Sequence, residues 1–263
     1  MNDFKKEVLN YNVVHGRTAI QYFKDRDITV SIDPSIYIYT IVDKMSTEIS
    51  TLDMVKINNN KINYVLVDQY IKWETKIAES IKHIKENYDS LPEYILYVDG
   101  FDVMFGKDIM NPKEMLDFYD CKILFNGEHN FGHTGFEPPY EGYFSKLYEH
   151  EFNLCQQLNE KKYGINAQKS LNAGVFLGEK KAVLELLEET YEYMMQDSQK
   201  GFPYGCKDDQ CLLKYMHNKH FDTISVDFFN RYFLFCNRLT FLEDTEEIHH
   251  FQFYNRFKHL YKQ

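Results

Sequence analysis

The feature that most limits the fold of this chain is an alternation of two kinds of segment. Apolar runs rich in β-branched and aromatic residues alternate with segments of helical periodicity. Residues 35–43 predict a first buried strand, and residues 94–98 predict another. Between them, apolar residues recur at helical spacing across residues 73–88, which predicts a surface helix. Such alternation indicates an α/β domain with a mostly parallel central sheet flanked by helices.

The same alternation continues through the second half of the chain. Further strands are expected at residues 64–67, 122–125, 170–177 and 223–227, and further helices at 112–119, 182–195 and 209–217. Residues 1–34 precede the first strand of this pattern, and we assign them to an N-terminal helical extension. Residues 35–263 then form the domain itself, with no linker of low complexity dividing it.

Composition restricts the partners and the location of the protein. With 40 acidic against 30 basic residues, the formal net charge of the 263 residues is −10. This charge disfavours nucleic acid as a partner, because a phosphate backbone would need a local basic patch. No apolar run approaches the ~20 residues that span a bilayer, and no apolar segment of a signal peptide follows the start. We therefore expect a cytoplasmic protein without a membrane span.

Two carboxylates directly follow the apolar strand of residues 94–98. Asp99 and Asp102 would project into the crevice at the carboxyl end of that strand, where ligands bind in open α/β sheets. A hard divalent cation such as Mn²⁺ or Mg²⁺ prefers oxygen ligands of this kind. The alternative is a turn whose aspartates cap the following segment, and spacing alone does not separate the two interpretations.

Four segments, in this order along the chain, resemble those of a known family. They are residues 94–105 (YILYVDGFDVMF), 122–128 (KILFNGE), 170–178 (SLNAGVFLG) and 207–213 (KDDQCLL). The first is similar to the donor-metal motif of the glycosyltransferase domain of procollagen lysyl hydroxylases and of related collagen-type sugar transferases. The resemblance extends over roughly residues 36–255, and the joint occurrence of the four segments is more specific than any one of them.

The resemblance implies a GT-A (Rossmann-like) fold, a UDP-sugar donor such as UDP-glucose or UDP-galactose, and Mn²⁺. It implies that Asp99 contacts the metal and the ribose side of the nucleotide, and that Asp102 is a direct metal ligand. The remaining ligand would be a histidine near the C-terminal end, best matched by His250, with His249 as the alternative in register. Here Gln252-Phe253 stands where the family has Asn-Gly.

On the sugar side, the resemblance places Asp208 and Asp209 near the donor sugar and the acceptor. There a carboxylate would orient hydroxyl groups or take the acceptor proton as general base. The alternative is an N-cap with a first-turn acid for the helix that follows, and both roles can coexist. Asn172 would supply an amide for sugar hydroxyls and Gly174 a backbone that approaches the donor closely, or else the pair marks a strand bulge.

The remaining donor-binding residues follow from position in the fold or from the matching segments. They are Thr40, Val42, Asp43, Lys76, Glu128 and Gln210. Lys76 lacks the glycine-rich run that precedes the corresponding lysine of the family, and a solvated helical lysine is the competing interpretation.

The sequence therefore predicts a hexosyltransferase acting on a hydroxyl acceptor, which residues 129–168 would help to select. One alternative is a metal-dependent phosphodiesterase or nucleotidyltransferase, which would need further acidic or histidine ligands near Asp99. Another is a non-catalytic relative that binds sugar nucleotides.

Overall fold

The computed structural model describes residues 11–15, 27–44, 51–70, 73–128, 153–155, 157–164 and 170–235. The strands in chain order are β1 (Val13–His15), β2 (Ile28–Ser31), β3 (Ile36–Asp43), β4 (Val55–Asn58), β5 (Ile62–Val67), β6 (Tyr94–Val98), β7 (Val103–Phe105), β8 (Ile123–Glu128), β9 (Ser170–Glu179), β10 (Ile224–Val226) and β11 (Phe233–Phe235). The helices are α1 (Trp73–Asn87), α2 (Pro112–Phe118), α3 (Lys180–Met195) and α4 (Asp209–Lys219), with 3-10 turns at Thr51–Met54 and Ser198–Lys200. Residues 153–155 and 157–163 are also helical.

The main sheet has six strands in the order β10-β8-β9-β6-β3-β5. Strand β9 runs antiparallel to both of its neighbours, whereas β3 is parallel to β5 and β6, and β10 is parallel to β8. The α/β class is confirmed, and the sheet is mixed: three of its five strand pairings are parallel and the two made by β9 are antiparallel. The apolar pattern of β9 could not show its direction, because a strand buried on both faces has the same composition in either orientation.

The helical assignment of residues 1–34 is wrong for the part that the structure describes. Residues 13–15 and 28–31 are strands, and they belong to two small sheets with the orders β11-β1-β7 and β2-β4. Strand β1 is only three residues long, which is too short to give a periodic signal in the sequence. The proposed domain boundary at residue 34 stays a prediction.

Side chains on the two faces of the main sheet create two apolar layers. On β6, Leu96 and Val98 face the layer formed with β1, β2, β7, α2 and β11, whereas Ile95 and Tyr97 face the layer that contains α1, α3 and α4. This double burial explains why β6 is apolar throughout. Among the described helices, none combines the length and apolar character that a bilayer crossing would need.

Strand β9 bulges where it meets the carboxyl end of β8. The register passes from Phe125 opposite Phe176 directly to Asn126 opposite Asn172, so three residues of β9 have no opposite residue on β8. On its other side β9 stays paired with β6 as far as Val175, and the Asp99 amide donates to the Gly174 carbonyl at 2.9 Å. The interpretation of this segment as a strand bulge is confirmed, and the bulge lies beside Asp99.

The buried His217 of α4 should make the fold sensitive to acid. Burial lowers its pKa to about 4, while an unfolded histidine takes up its proton near pH 6.5. Its contribution to stability is therefore complete above pH 6.5 and is lost as the pH falls toward 4, by up to about 3 kcal/mol. Urea unfolding at pH 7 and pH 5 should show this loss in the wild type and a smaller one in His217→Gln. Equal losses in the two proteins would contradict this role of His217.

Candidate metal site at the end of strand β6

Three side chains that can ligate a metal converge at the carboxyl end of β6. They are His15, Asp99 and Asp102, each of which offers one ligand atom within 4.8 Å of the other two. The His15 Nε2 lies 3.2 Å from Asp102 Oδ2. The histidine is buried, whereas the carboxylates keep 33% and 38% of their side chains exposed, so the cluster is open on the aspartate side.

Strand pairing brings these residues together. Asp99 directly follows β6, and a turn over residues 100–102 leads to β7. Strand β1 pairs antiparallel with β7, and His15 lies opposite Val103, the residue after Asp102. The last residue of a short N-terminal strand is thereby held beside an aspartate 87 positions further along the chain.

The charges of the cluster act on each other. Burial lowers the pKa of His15, but the carboxylates of Asp102, Asp99 and Glu128 outweigh it, and the pKa lies above its usual 6.5. The loss of water around Asp99 raises the pKa of that carboxyl group, against the attraction of Lys76. The two carboxylates repel each other, and both attract the imidazole. A divalent cation would neutralise both acids, so this group of side chains is suited to bind one.

Gly174 of the β9 bulge forms the wall behind the cluster. A Cβ atom at this position would lie 2.3 Å from His15 Cε1 and 2.7 Å from Asp99 Oδ2. Only glycine therefore lets the bulge approach both His15 and Asp99, whereas the close approach to a donor expected for this residue stays a prediction. The neighbouring Asn172 uses its amide within the protein, since it donates to Glu128 and accepts from the Gly174 amide.

The interpretation of Lys76 as a solvated helical lysine is wrong. Its side chain is 5% exposed, and its ammonium lies 2.8 Å from Asp209 Oδ2 and 3.6 Å from Asp99 Oδ1. It also donates to the Ala173 carbonyl at 2.9 Å. The nearby carboxylates raise the pKa of Lys76 although burial lowers it. A lysine in the first turn of α1 is thus a buried ion-pair partner of two predicted site residues.

Glu128 and Gln210 lie in a buried polar network on the other side of the bulge. Glu128 Oε1 accepts from Gln210 Nε2 at 2.7 Å and from Lys214 Nζ at 3.2 Å, and Glu128 Oε2 accepts from Asn172 at 3.0 Å. Gln210 Oε1 in turn accepts from the Ala173 amide. Glu128 and Gln210 therefore lie close to the bulge, and the hydrogen bonds of their side chains are made to other groups of the protein.

The aspartate pair at the start of α4 has the capping role considered as one alternative. Asp208 is the N-cap and accepts from the Cys211 amide at 2.8 Å, and Asp209 is the acid of the first turn. Only Asp209 pairs with Lys76 and so extends toward Asp99. The capping interpretation is confirmed, and a role toward a sugar stays a prediction.

The three residues predicted from the first strand lie at the carboxyl end of β3 as expected. Thr40 and Val42 pack against Gly100 in the turn after Asp99, because a Cβ at Gly100 would lie 2.8 Å from Val42 Cγ1 and 3.2 Å from Thr40 Oγ1. Asp43 accepts from the Tyr70 amide at 3.0 Å. Thr40 and Val42 are therefore neighbours of the Asp99 turn, and Asp43 holds the chain that follows β5.

Sequence reasoning missed His15 as the third member of the cluster. A single histidine after two valines gives no metal-binding pattern, and only its pairing with β7 brings it to Asp102. His250 and His249, the predicted third ligand and its alternative, lie outside the described residues, as does most of the 129–168 segment.

No protein-family model matches the sequence, and no curated protein is significantly similar to it. The motif resemblance therefore stays a prediction. The candidate site rests on the geometry of the described residues.

Replacing Gly174 by alanine should disrupt the cluster. The added methyl group would force His15 and Asp99 apart, and we expect Mn²⁺ affinity to fall by about tenfold or more, as for other changes directly behind metal ligands. Isothermal titration with Mn²⁺ measures this. Gly164→Ala is the control: its φ of 67° makes alanine strained there, but no atom lies within 4 Å of its added methyl group, so it lacks the steric clash expected at Gly174. Equal affinities of the two variants would contradict the role of Gly174.

The affinity for metal should increase as the pH rises through the raised pKa of His15, where the imidazole loses its proton. Metal binding requires the neutral imidazole, and a proton held above pH 6.5 competes with the ion. In the absence of metal the sign is opposite: the protonated His15 stabilises the fold, fully so below pH 6.5, and this contribution is lost as the pH rises through the raised pKa. Mn²⁺ titrations between pH 6 and 8.5 should show the dependence in the wild type and lose it in His15→Gln. An unchanged pH dependence in His15→Gln would exclude His15 as a ligand.

Proposed function

We propose that this protein is a metal-dependent glycosyltransferase of the GT-A fold that transfers a hexose from UDP-glucose or UDP-galactose to a hydroxyl acceptor. The observation that carries the proposal is the meeting of His15, Asp99 and Asp102 at the carboxyl end of β6. Ligand sites of α/β sheets lie at this end of the strands. Lys76 connects the cluster to Asp209, one of the two aspartates expected on the sugar side.

The donor set is suited to a divalent metal ion. Two carboxylate oxygens and one imidazole nitrogen leave coordination positions for the oxygens of a diphosphate, and this mixed set favours Mn²⁺ over Mg²⁺, which takes oxygen ligands almost alone. His15, Asp99 and Asp102 would hold the ion. The bound ion would supply positive charge where the leaving diphosphate gains negative charge.

The remaining residues of the site would bind and orient the substrate. Gly174 lets the bulge pack directly behind His15 and Asp99, and the partly exposed side chains of Asp99 and Asp102 leave the opposite side of the cluster open for a donor. Asp209 is fixed by Lys76 and has a carboxylate suited to accept a hydrogen bond from a sugar hydroxyl. Asp208 and Asp209 each accept one backbone amide at the start of α4, from Cys211 and Gln210, but only Asp209 also reaches toward Asp99 through Lys76, so Asp209 is the better candidate for orienting the sugar.

A second candidate is a metal-dependent phosphodiesterase or nucleotidyltransferase. This alternative requires a further acidic or histidine ligand near Asp99, and His15 is such a residue. Within the described ranges, one group of three side chains could hold a metal ion, which is enough for a single ion. Many enzymes of phosphate chemistry instead bind two ions about 3.5–4 Å apart. The glycosyltransferase therefore remains the better-supported function.

The test is a screen of UDP-sugars for Mn²⁺-dependent release of UDP, with bis-p-nitrophenyl phosphate as a substrate for the alternative. We expect release from UDP-glucose or UDP-galactose, a loss of about a hundredfold or more in Asp102→Asn, and full activity in Asp89→Asn, which changes an exposed residue just after the C-terminal end of α1. Hydrolysis of the phosphodiester without UDP release would favour the second candidate. Binding of UDP-sugar without turnover would indicate a non-catalytic relative.

A further inference from the structure

The two oxygens of Asp99 face different surroundings. Asp99 Oδ1 accepts from the Tyr97 hydroxyl at 2.7 Å and lies 3.6 Å from the Lys76 ammonium. Asp99 Oδ2 lies instead beside the Gly174 wall, where it and the His15 ring are both within 3 Å of the position that a Cβ atom of residue 174 would occupy. One oxygen therefore faces a buried ammonium, and the other faces the imidazole of the cluster.

We infer that Asp99 is shared between two cations, with Oδ1 held by Tyr97 and Lys76 and Oδ2 left as the metal ligand. Tyr97 and Lys76 are then positioning residues of the metal site, although neither is a ligand. The inference rests on the metal site of the proposed function. It adds that the metal affinity is set partly by a lysine and a tyrosine that lie behind Asp99.

Tyr97 is suited to hold Asp99 in one orientation. Its ring is 1% exposed and packs between Phe176, at 5.2 Å between ring centroids, and Tyr39, at 5.3 Å. A ring fixed on both sides keeps its hydroxyl at one place, and so fixes the carboxylate that accepts its hydrogen bond. The neighbouring Asp99 carboxylate cannot rotate to offer both oxygens to an ion without losing this bond.

Lys76 adds an electrostatic effect with a definite sign. Its ammonium is held by Asp209, by the Ala173 carbonyl and by the face of the Tyr97 ring, 4.7 Å from the ring centroid. A positive charge beside a ligand oxygen repels a divalent cation on the other oxygen. Removal of the charge should therefore strengthen metal binding, whereas loss of a purely structural lysine would weaken it.

The charge effect is measured best in a pair of variants that are both neutral at position 209. Lys76→Met alone would leave the buried Asp209 without its ion-pair partner and would destabilise the protein. Asp209→Asn and the double variant Lys76→Met/Asp209→Asn avoid this problem, because they differ only in the lysine. We expect the double variant to bind Mn²⁺ about tenfold more tightly than Asp209→Asn, by isothermal titration at pH 7.5.

The orientation effect has its own matched pair. Tyr97→Phe removes the hydroxyl that holds Asp99, whereas Tyr39→Phe removes the hydroxyl of an equally buried tyrosine that is the cross-strand partner of Tyr97. We expect Tyr97→Phe to bind Mn²⁺ about tenfold more weakly and to change the Mn²⁺ electron paramagnetic resonance spectrum, and Tyr39→Phe to do neither.

These results separate the inference from the proposed activity, because they require Mn²⁺ alone. Equal or weaker affinity of the double variant relative to Asp209→Asn would overturn the sharing of Asp99, and so would equal affinities of the two tyrosine variants. A protein that shows both effects but releases no UDP would keep this inference and refute the sugar transfer. A wild-type protein that binds no Mn²⁺ would refute both.

Discussion

The antiparallel pairing of β1 with β7 is the constraint on which the candidate site depends. It places His15 opposite Val103 and so beside Asp102, at the edge where β6 ends with Asp99. Strand β1 is also paired with β11, so its position is fixed from both sides. A ligand from near one end of the chain is thus held by backbone hydrogen bonds rather than by the side chains of the site.

Behind the cluster, charged and polar groups fix the β9 bulge. Lys76 binds the Ala173 carbonyl, Gln210 binds the Ala173 amide, and Asp99 donates its own amide to the Gly174 carbonyl. Burying these groups would cost free energy if they were unpaired, but each has a hydrogen-bond partner in the network. The same contacts that compensate for burial therefore also hold Gly174 against the ligands, so stability and site geometry depend on one network.

Local patterns in the sequence are sufficient to predict the main elements and two of the three candidate metal ligands. The strand of residues 94–98 has the bounds that its sequence predicts, because an apolar run closed by an acidic turn is visible locally. The aspartates that follow it are identifiable for the same reason. His15 and the antiparallel direction of β9 are not, because both depend on pairing between segments far apart in the chain.

Lys76 is a second residue whose environment the local sequence does not predict. Its position in an amphipathic helix suggests a solvated residue, and only the packing of α1 on the main sheet reveals that its ammonium is buried between Asp99 and Asp209. Helical periodicity gives the face of a helix, but not which charged residue at its end turns inward. The predicted roles of His249 and His250 fall on residues that the structure does not describe.

The most direct test of the metal site is the anomalous difference density of a crystal grown with Mn²⁺. The site described above predicts a peak within about 2.5 Å of one His15 nitrogen, of Asp99 Oδ2 and of an Asp102 oxygen. A Mn²⁺ peak that is bound without His15, or that lies away from both aspartates, would contradict it.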